Sequence, residues 1–207
     1  MKTKTSIKLR NGFYGFLCIG VALYALSHLF RVDFYSFKMN GISTSSIWRT
    51  AFHFHFIGGA VALAIGWTQF LKNFRSTHLK THRRLGYVYI TAILLISSPA
   101  AFYMALYANG GFNNVVGFGM MALCWFGFTA MAFVKIKNKD LDAHERWMIR
   151  SFAVTLGAVT LRVFMPIMII SGVSPEEAYQ VIAWFCWVPN LFVAEYLISK
   201  KYLAAAS

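Results

Sequence analysis

The stretch "FHFHFIGGAVALAIGWTQFL" (Phe52–Leu71) decides the fold class. It holds no Asp, Glu, Lys or Arg, and about 20 such residues in a helix cross the hydrocarbon core of a bilayer. Five other long apolar stretches join it: Phe13–Phe30, Leu85–Tyr107, Val115–Val134, Trp147–Ser171 and Ala178–Ser199. Strand-like alternation does not recur along the chain, which argues against a barrel. The composition agrees. Of 207 residues 58% are hydrophobic and 13% charged, against about 25% charged in a soluble domain. The expectation is an all-α integral membrane bundle of six transmembrane helices. Residues 1–51 form an anchor helix and an outer connector, residues 52–199 a five-helix membrane core, and residues 200–207 a tail. The first span is longer than the apolar region of a signal peptide and reads as an uncleaved anchor, although "ALS" at Ala25–Ser27 resembles a cleavage site.

The cations set the orientation. Lys2, Lys4, Lys8 and Arg10 precede the first span; Lys72, Arg75, Lys80, Arg83 and Arg84 follow the second; Lys135, Lys137, Lys139, Arg146 and Arg150 follow the fourth; Lys200 and Lys201 follow the sixth. The alternate side carries only Arg31, Lys38 and Arg49. Because cytoplasmic loops are rich in Lys and Arg, both termini are expected in the cytoplasm, with anionic lipids as partners on that side. A net charge of +13 otherwise suggests nucleic acid. Here the charge is split among short loops, so no nucleic-acid partner is expected.

Beside the cytoplasmic face lies a short internal repeat, a parallel hairpin pattern within the core. "HLKTHRRLGY" (His78–Tyr87) aligns with "DLDAHERWMI" (Asp140–Ile149), so that His78 matches Asp140, His82 matches His144 and Arg84 matches Arg146. Asp142 followed by Glu145 fits a capping box at a helix start. Helix capping and lipid anchoring explain much of this cluster. They do not explain His144 or its counterpart His82.

Histidines gather at both ends of the bundle: His28, His53 and His55 on the outer side, His78, His82 and His144 on the inner side. Two neutral imidazoles at one depth on facing helices are the ligand set of haem b. The leading expectation is therefore a haem-binding membrane redox component. His82 and His144 are its inner ligands and His53 its outer one. Arg84 and Arg146 hold propionates, and a redox protein or quinone is the partner. A second expectation uses His78, His82, Asp140 and His144 as ligands for zinc or iron in a membrane enzyme, with Glu145 as base. The three cysteines, Cys18, Cys124 and Cys186, match no metal or disulfide spacing and read as small buried residues.

Two charges lie inside the spans. Arg162 stands about 13 Å below the outer end of the fifth span, where an arginine faces the bundle or a wet cavity. It suits a haem propionate, a quinone oxygen or an anionic substrate. Glu195 lies near the inner end of the sixth, where Arg150 is its expected partner. A third expectation, a transporter or accessory subunit, uses Arg162 and Glu195 in a polar pathway. Gly58, Gly59 and Gly66 are expected to let helices approach closely.

The motifs "HFIGGAVALAIGWTQF" (His55–Phe70), "THRRLGYVYI" (Thr81–Ile90), "HERWMIRSFA" (His144–Ala153) and "LR" at Leu161–Arg162 resemble a family of bacterial polytopic membrane proteins catalogued as a domain of unknown function. The resemblance covers roughly His53 to Ser199. It implies a multi-pass protein of the bacterial inner membrane and implies no reaction.

Overall fold

A computed structural model describes residues 4–27, 29 and 41–203. His28, Arg31 and Lys38 lie outside the described residues. Among those described, the chain forms helices and no strand. Helix α1 is Lys4–Ser27. Helix α2, Ser46–Gly66, is prolonged by a tighter 3-10 turn at Trp67–Phe70. The short α3, Lys72–Thr77, leads to α4, Leu79–Thr91. A π turn at Ala92–Ser97 joins α4 to α5, Ser98–Ala105. Then come α6 (Phe112–Lys137), α7 (Leu141–Thr155), α8 (Gly157–Ile170), α9 (Pro175–Phe185) and α10 (Val188–Leu203).

Joined end to end, these segments make five rods long and apolar enough to cross a membrane: Ser46–Phe70, Leu79–Ala105, Phe112–Lys137, Leu141–Ile170 and Pro175–Lys201. At 1.5 Å per residue they are about 38 to 45 Å long, enough for the hydrocarbon core and part of both headgroup layers. The apolar part of α1, Asn11–Ser27, is shorter. It lies against α2 and α8. The rods carry large apolar side chains outward, with Phe16, Leu95, Ile170 and Phe192 all more than 70% exposed. In water such a surface would aggregate; against lipid it is solvated.

Inside, small residues let backbones meet. A Cβ on Gly58 would come within 2.9 Å of the Ala92 carbonyl oxygen and the Ser97 Cβ, and one on Gly66 within 2.7 Å of the Phe152 ring. The glycines thus seat α2 against α4, the π turn and α7, as expected for a membrane interior, where close packing replaces the hydrophobic drive. The core around them is Ala62, Tyr89, Ile93, Trp125, Ala132, Met148 and Val154.

Helices α4 and α7 share more than direction. They begin at Leu79 and Leu141, matching positions of the repeat alignment, with His78 and Asp140 as the flanking N-cap residues. A buried hydrogen bond of 2.9 Å joins Tyr89 to Ser151, 62 residues apart. His82 and His144 have the same separation, so this hydrogen bond bridges the two helices at the offset read from sequence. Each rod also breaks near mid-length, one at the π turn and the other at Leu156, where α7 gives way to α8.

One expectation is corrected. Asp142 does not cap α7. Lys139 adopts φ 62°, which turns the chain so that the helix starts at Leu141, and the Asp140 carboxylate accepts from the Ala143 amide at 3.0 Å. Glu145 instead pairs with Lys201 at 2.6 Å. A capping box is present at α9, between Ser174 and Glu177.

Candidate functional site

At the end of the bundle that carries the basic loops, α4 and α7 bring His82 and His144 to one level. The two imidazoles lie within electrostatic reach of each other, with Arg75 and Arg83 also near His82. Nδ1 of His144 is 2.8 Å from the Ala132 carbonyl oxygen on α6. A carbonyl only accepts, so this nitrogen carries a proton, and in the neutral imidazole Nε2 is the one with the lone pair. This is the arrangement by which a backbone carbonyl fixes the tautomer of a ligating histidine. Nδ1 of His82 is buried with no hydrogen-bond partner. Orphaned buried nitrogens are uncommon because each costs about 1–3 kcal/mol. Arg83 and Arg84 are exposed beside the pair, and Arg146 is half-buried one turn short of Arg150.

The other proposed ligands are engaged elsewhere. His78 meets the Thr77 hydroxyl at 2.7 Å through Nδ1 and stacks on Phe74. Asp140 caps α7 and lies 3.8 Å from Lys135. Among the described residues no three His, Cys, Asp or Glu side chains gather as a metal cluster. His82 and His144 thus lie within electrostatic reach of each other without the other half of the four-ligand set. Glu195 receives two hydrogen bonds from Arg150, at 2.6 and 2.8 Å, as its depth in the sequence suggested, and is not joined to Arg162.

Toward the far end, a mostly apolar cavity of about 330 Å³ opens between α1, α2, α5, α6 and α8. His53 is not among its lining residues; His55 is. His53 points along its own helix and bonds the Arg49 carbonyl oxygen at 2.6 Å. Nδ1 of His55 lies 3.3 Å from the carbonyl oxygen and 3.2 Å from the hydroxyl of Ser97, the last residue of the π turn. The Ser97 hydroxyl proton is given to the His55 carbonyl at 2.8 Å. Nδ1 of His55 is therefore the donor, and Nε2 is the acceptor. Helical phase carried the signal for this residue: His55 shares a face with Gly58, Gly59 and Ala62, the small residues that meet the neighbouring rod, whereas His53 does not.

Arg162 lines the same cavity. Its Nη1 donates to the Ala158 carbonyl at 2.9 Å, its guanidinium lies 5.6 Å from the Tyr24 ring centre, and its Nε is buried without a partner. None of the ion pairs among the described residues includes it.

Between the two levels runs a buried polar circuit that composition did not reveal. The Trp125 indole N–H donates to Thr155 at 2.9 Å; Thr155 meets Tyr89 at 2.9 Å; Tyr89 meets Ser151 at 2.9 Å; Ser151 meets Thr129 at 2.7 Å; Thr129 donates to the Trp125 carbonyl at 2.7 Å. Thr155 Oγ1 also lies 3.0 Å from the Ser151 carbonyl oxygen, and the circuit closes on the residue where it starts. The spacing of Ser151 and Thr155 by one helical turn was its signal in the sequence.

The family described as "Predicted membrane protein (DUF2306)" matches residues 52–198, and the chain belongs to it. No curated protein and no solved structure matches the chain.

Proposed function

We propose, for this member of that family, the role of a haem b-binding redox component of the bacterial inner membrane, six-spanning and with both termini in the cytoplasm. The observation that carries the reading is the histidine pair. Two imidazoles stand at one level on parallel helices; one has its tautomer fixed through the Ala132 carbonyl and the other keeps a buried nitrogen without a partner. These donors fit a low-spin iron, which takes two neutral imidazoles. Bound there, the haem would supply a one-electron couple.

The chain's own residues would do the rest. The Ala132 carbonyl holds the His144 proton on Nδ1 and keeps Nε2 basic. Arg83, Arg84 and Arg146 supply cations for propionates at the headgroup level. The cationic loops at this end favour the cytoplasmic side, and α1 serves as the sixth, anchoring span. On the far side His55, not His53, is the histidine with cavity access.

The test is an absorption spectrum of the protein purified in mild detergent from haem-replete cells, oxidised and dithionite-reduced. A Soret band with sharp reduced α and β bands, lost in His144→Ala and in His82→Ala, is expected. Colourless protein would overturn the reading, and so would a haem spectrum indifferent to both substitutions.

A further inference from the structure

We infer that the far-end cavity is a binding site for an apolar carboxylate, seated with its head on Arg162 and its body among the cavity's aromatic and small side chains. The inference is independent of the haem reading, because the cavity and the His82–His144 pair are separate places in the fold.

Charge is the first argument. Arg162 is a cation inside a membrane span, and its described contacts are a carbonyl oxygen and an aromatic face. Among the described residues no acid lines the cavity. A buried charge without a counter-charge is costly, and snorkelling is the usual relief. Here the guanidinium instead lines an internal space, with Nε buried and unpaired. A ligand that brings one negative charge neutralises the site.

Geometry and stoichiometry then choose among anions. A guanidinium presents parallel N–H groups that match the two oxygens of a carboxylate. Among the described residues Arg162 is the sole Arg or Lys in the lining. One cation balances one carboxylate, whereas a phosphate dianion would remain uncompensated. The walls set the rest of the ligand. Trp48, Phe52, Phe56, Phe118 and Leu63 present apolar surface, and about 330 Å³ is at the small end of the range for ligand sites. His55 adds one acceptor nitrogen, so a hydroxyl on the ligand body strengthens binding.

Trp48 and Trp125 line the cavity, which provides a readout by contact. The full chain is placed in nanodiscs, and 12-bromododecanoic acid is compared with its methyl ester at equal mole fractions by quenching of tryptophan fluorescence. The acid is expected to quench saturably at a concentration at least tenfold lower than the ester. Arg162→Gln should erase that difference and Arg162→Lys should keep part of it. Trp125→Phe should remove much of the saturable signal. Equal quenching by acid and ester in the wild-type protein would overturn the proposal, whether or not the Arg162 variants fold. A haem spectrum lost in His55→Asn would also overturn it, by assigning the cavity to a porphyrin.

Discussion

Removing one oxygen from the buried circuit tests the helix register on which the histidine pair depends. Tyr89→Phe keeps the ring, which is fully buried, and deletes two contacts of 2.9 Å, to Ser151 and Thr155 on α7. Neither partner is orphaned, since Ser151 keeps Thr129 and Thr155 keeps the Trp125 indole. The large penalty of an unsatisfied buried group therefore does not apply. Interhelical hydrogen bonds in membranes average about 0.6 kcal/mol each, so the two contacts together contribute about 1.2 kcal/mol. That is roughly an eightfold change in the unfolding constant, or about 2 to 5 °C in midpoint on the scale of domains this size. The assay is titration with a denaturing detergent, read by the thiol reactivity of buried Cys18 and Cys186. Ser151→Ala and the double variant complete a cycle, with an expected coupling of about 0.6 kcal/mol. Additivity within about 0.3 kcal/mol would refute the direct contact. With it would fall the offset that sets His82 beside His144.

Other substitutions probe separate parts of the argument. Gly66→Ala puts a Cβ within 2.7 Å of the Phe152 ring and 2.8 Å of the Tyr89 ring and should cost about 1–3 kcal/mol by overpacking; Gly12→Ala, with open space around it, should be near neutral in the same denaturation. Asp140→Ala should cost about 1 kcal/mol through loss of the α7 cap, while Asp142→Ala should cost less; the reverse order would restore Asp142 as the cap. Glu195→Gln should lower the midpoint slightly, by the equivalent of about 1 kcal/mol or less, because the carboxylate is half exposed; its effect should shrink as salt is raised.

What was legible in the sequence was whatever depends on depth along a helix. Counting residues put Arg150 near Glu195, and the two pair in the fold; it put His82 level with His144, and the two lie within electrostatic reach. Counting also located the start of α4 and α7 in matching positions. What depends on rotation about the helix axis was harder to read. An almost wholly apolar rod has no polar stripe to mark which side faces away from the core, so His53 and His55, two residues apart, were not separated by hydropathy. The small-residue stripe of α2 separates them. The α7 cap was missed for a different reason. A capping-box pattern is satisfied by residue types, whereas the actual start depends on the left-handed turn at Lys139, a backbone choice that a lysine does not advertise.

The breaks in the two central rods have a mechanical meaning. The π turn ends at Ser97, which holds His55, and the interruption at Leu156 precedes the α8 segment that carries Arg162. Arg162 therefore stands beyond a joint, and the π turn of the neighbouring rod contacts His55 of α2, whereas His82 and His144 lie before these interruptions on unbroken α4 and α7. A bend at this level would move the Arg162 segment relative to His55 on α2, and so alter the cavity, while leaving α4 and α7 before it unchanged.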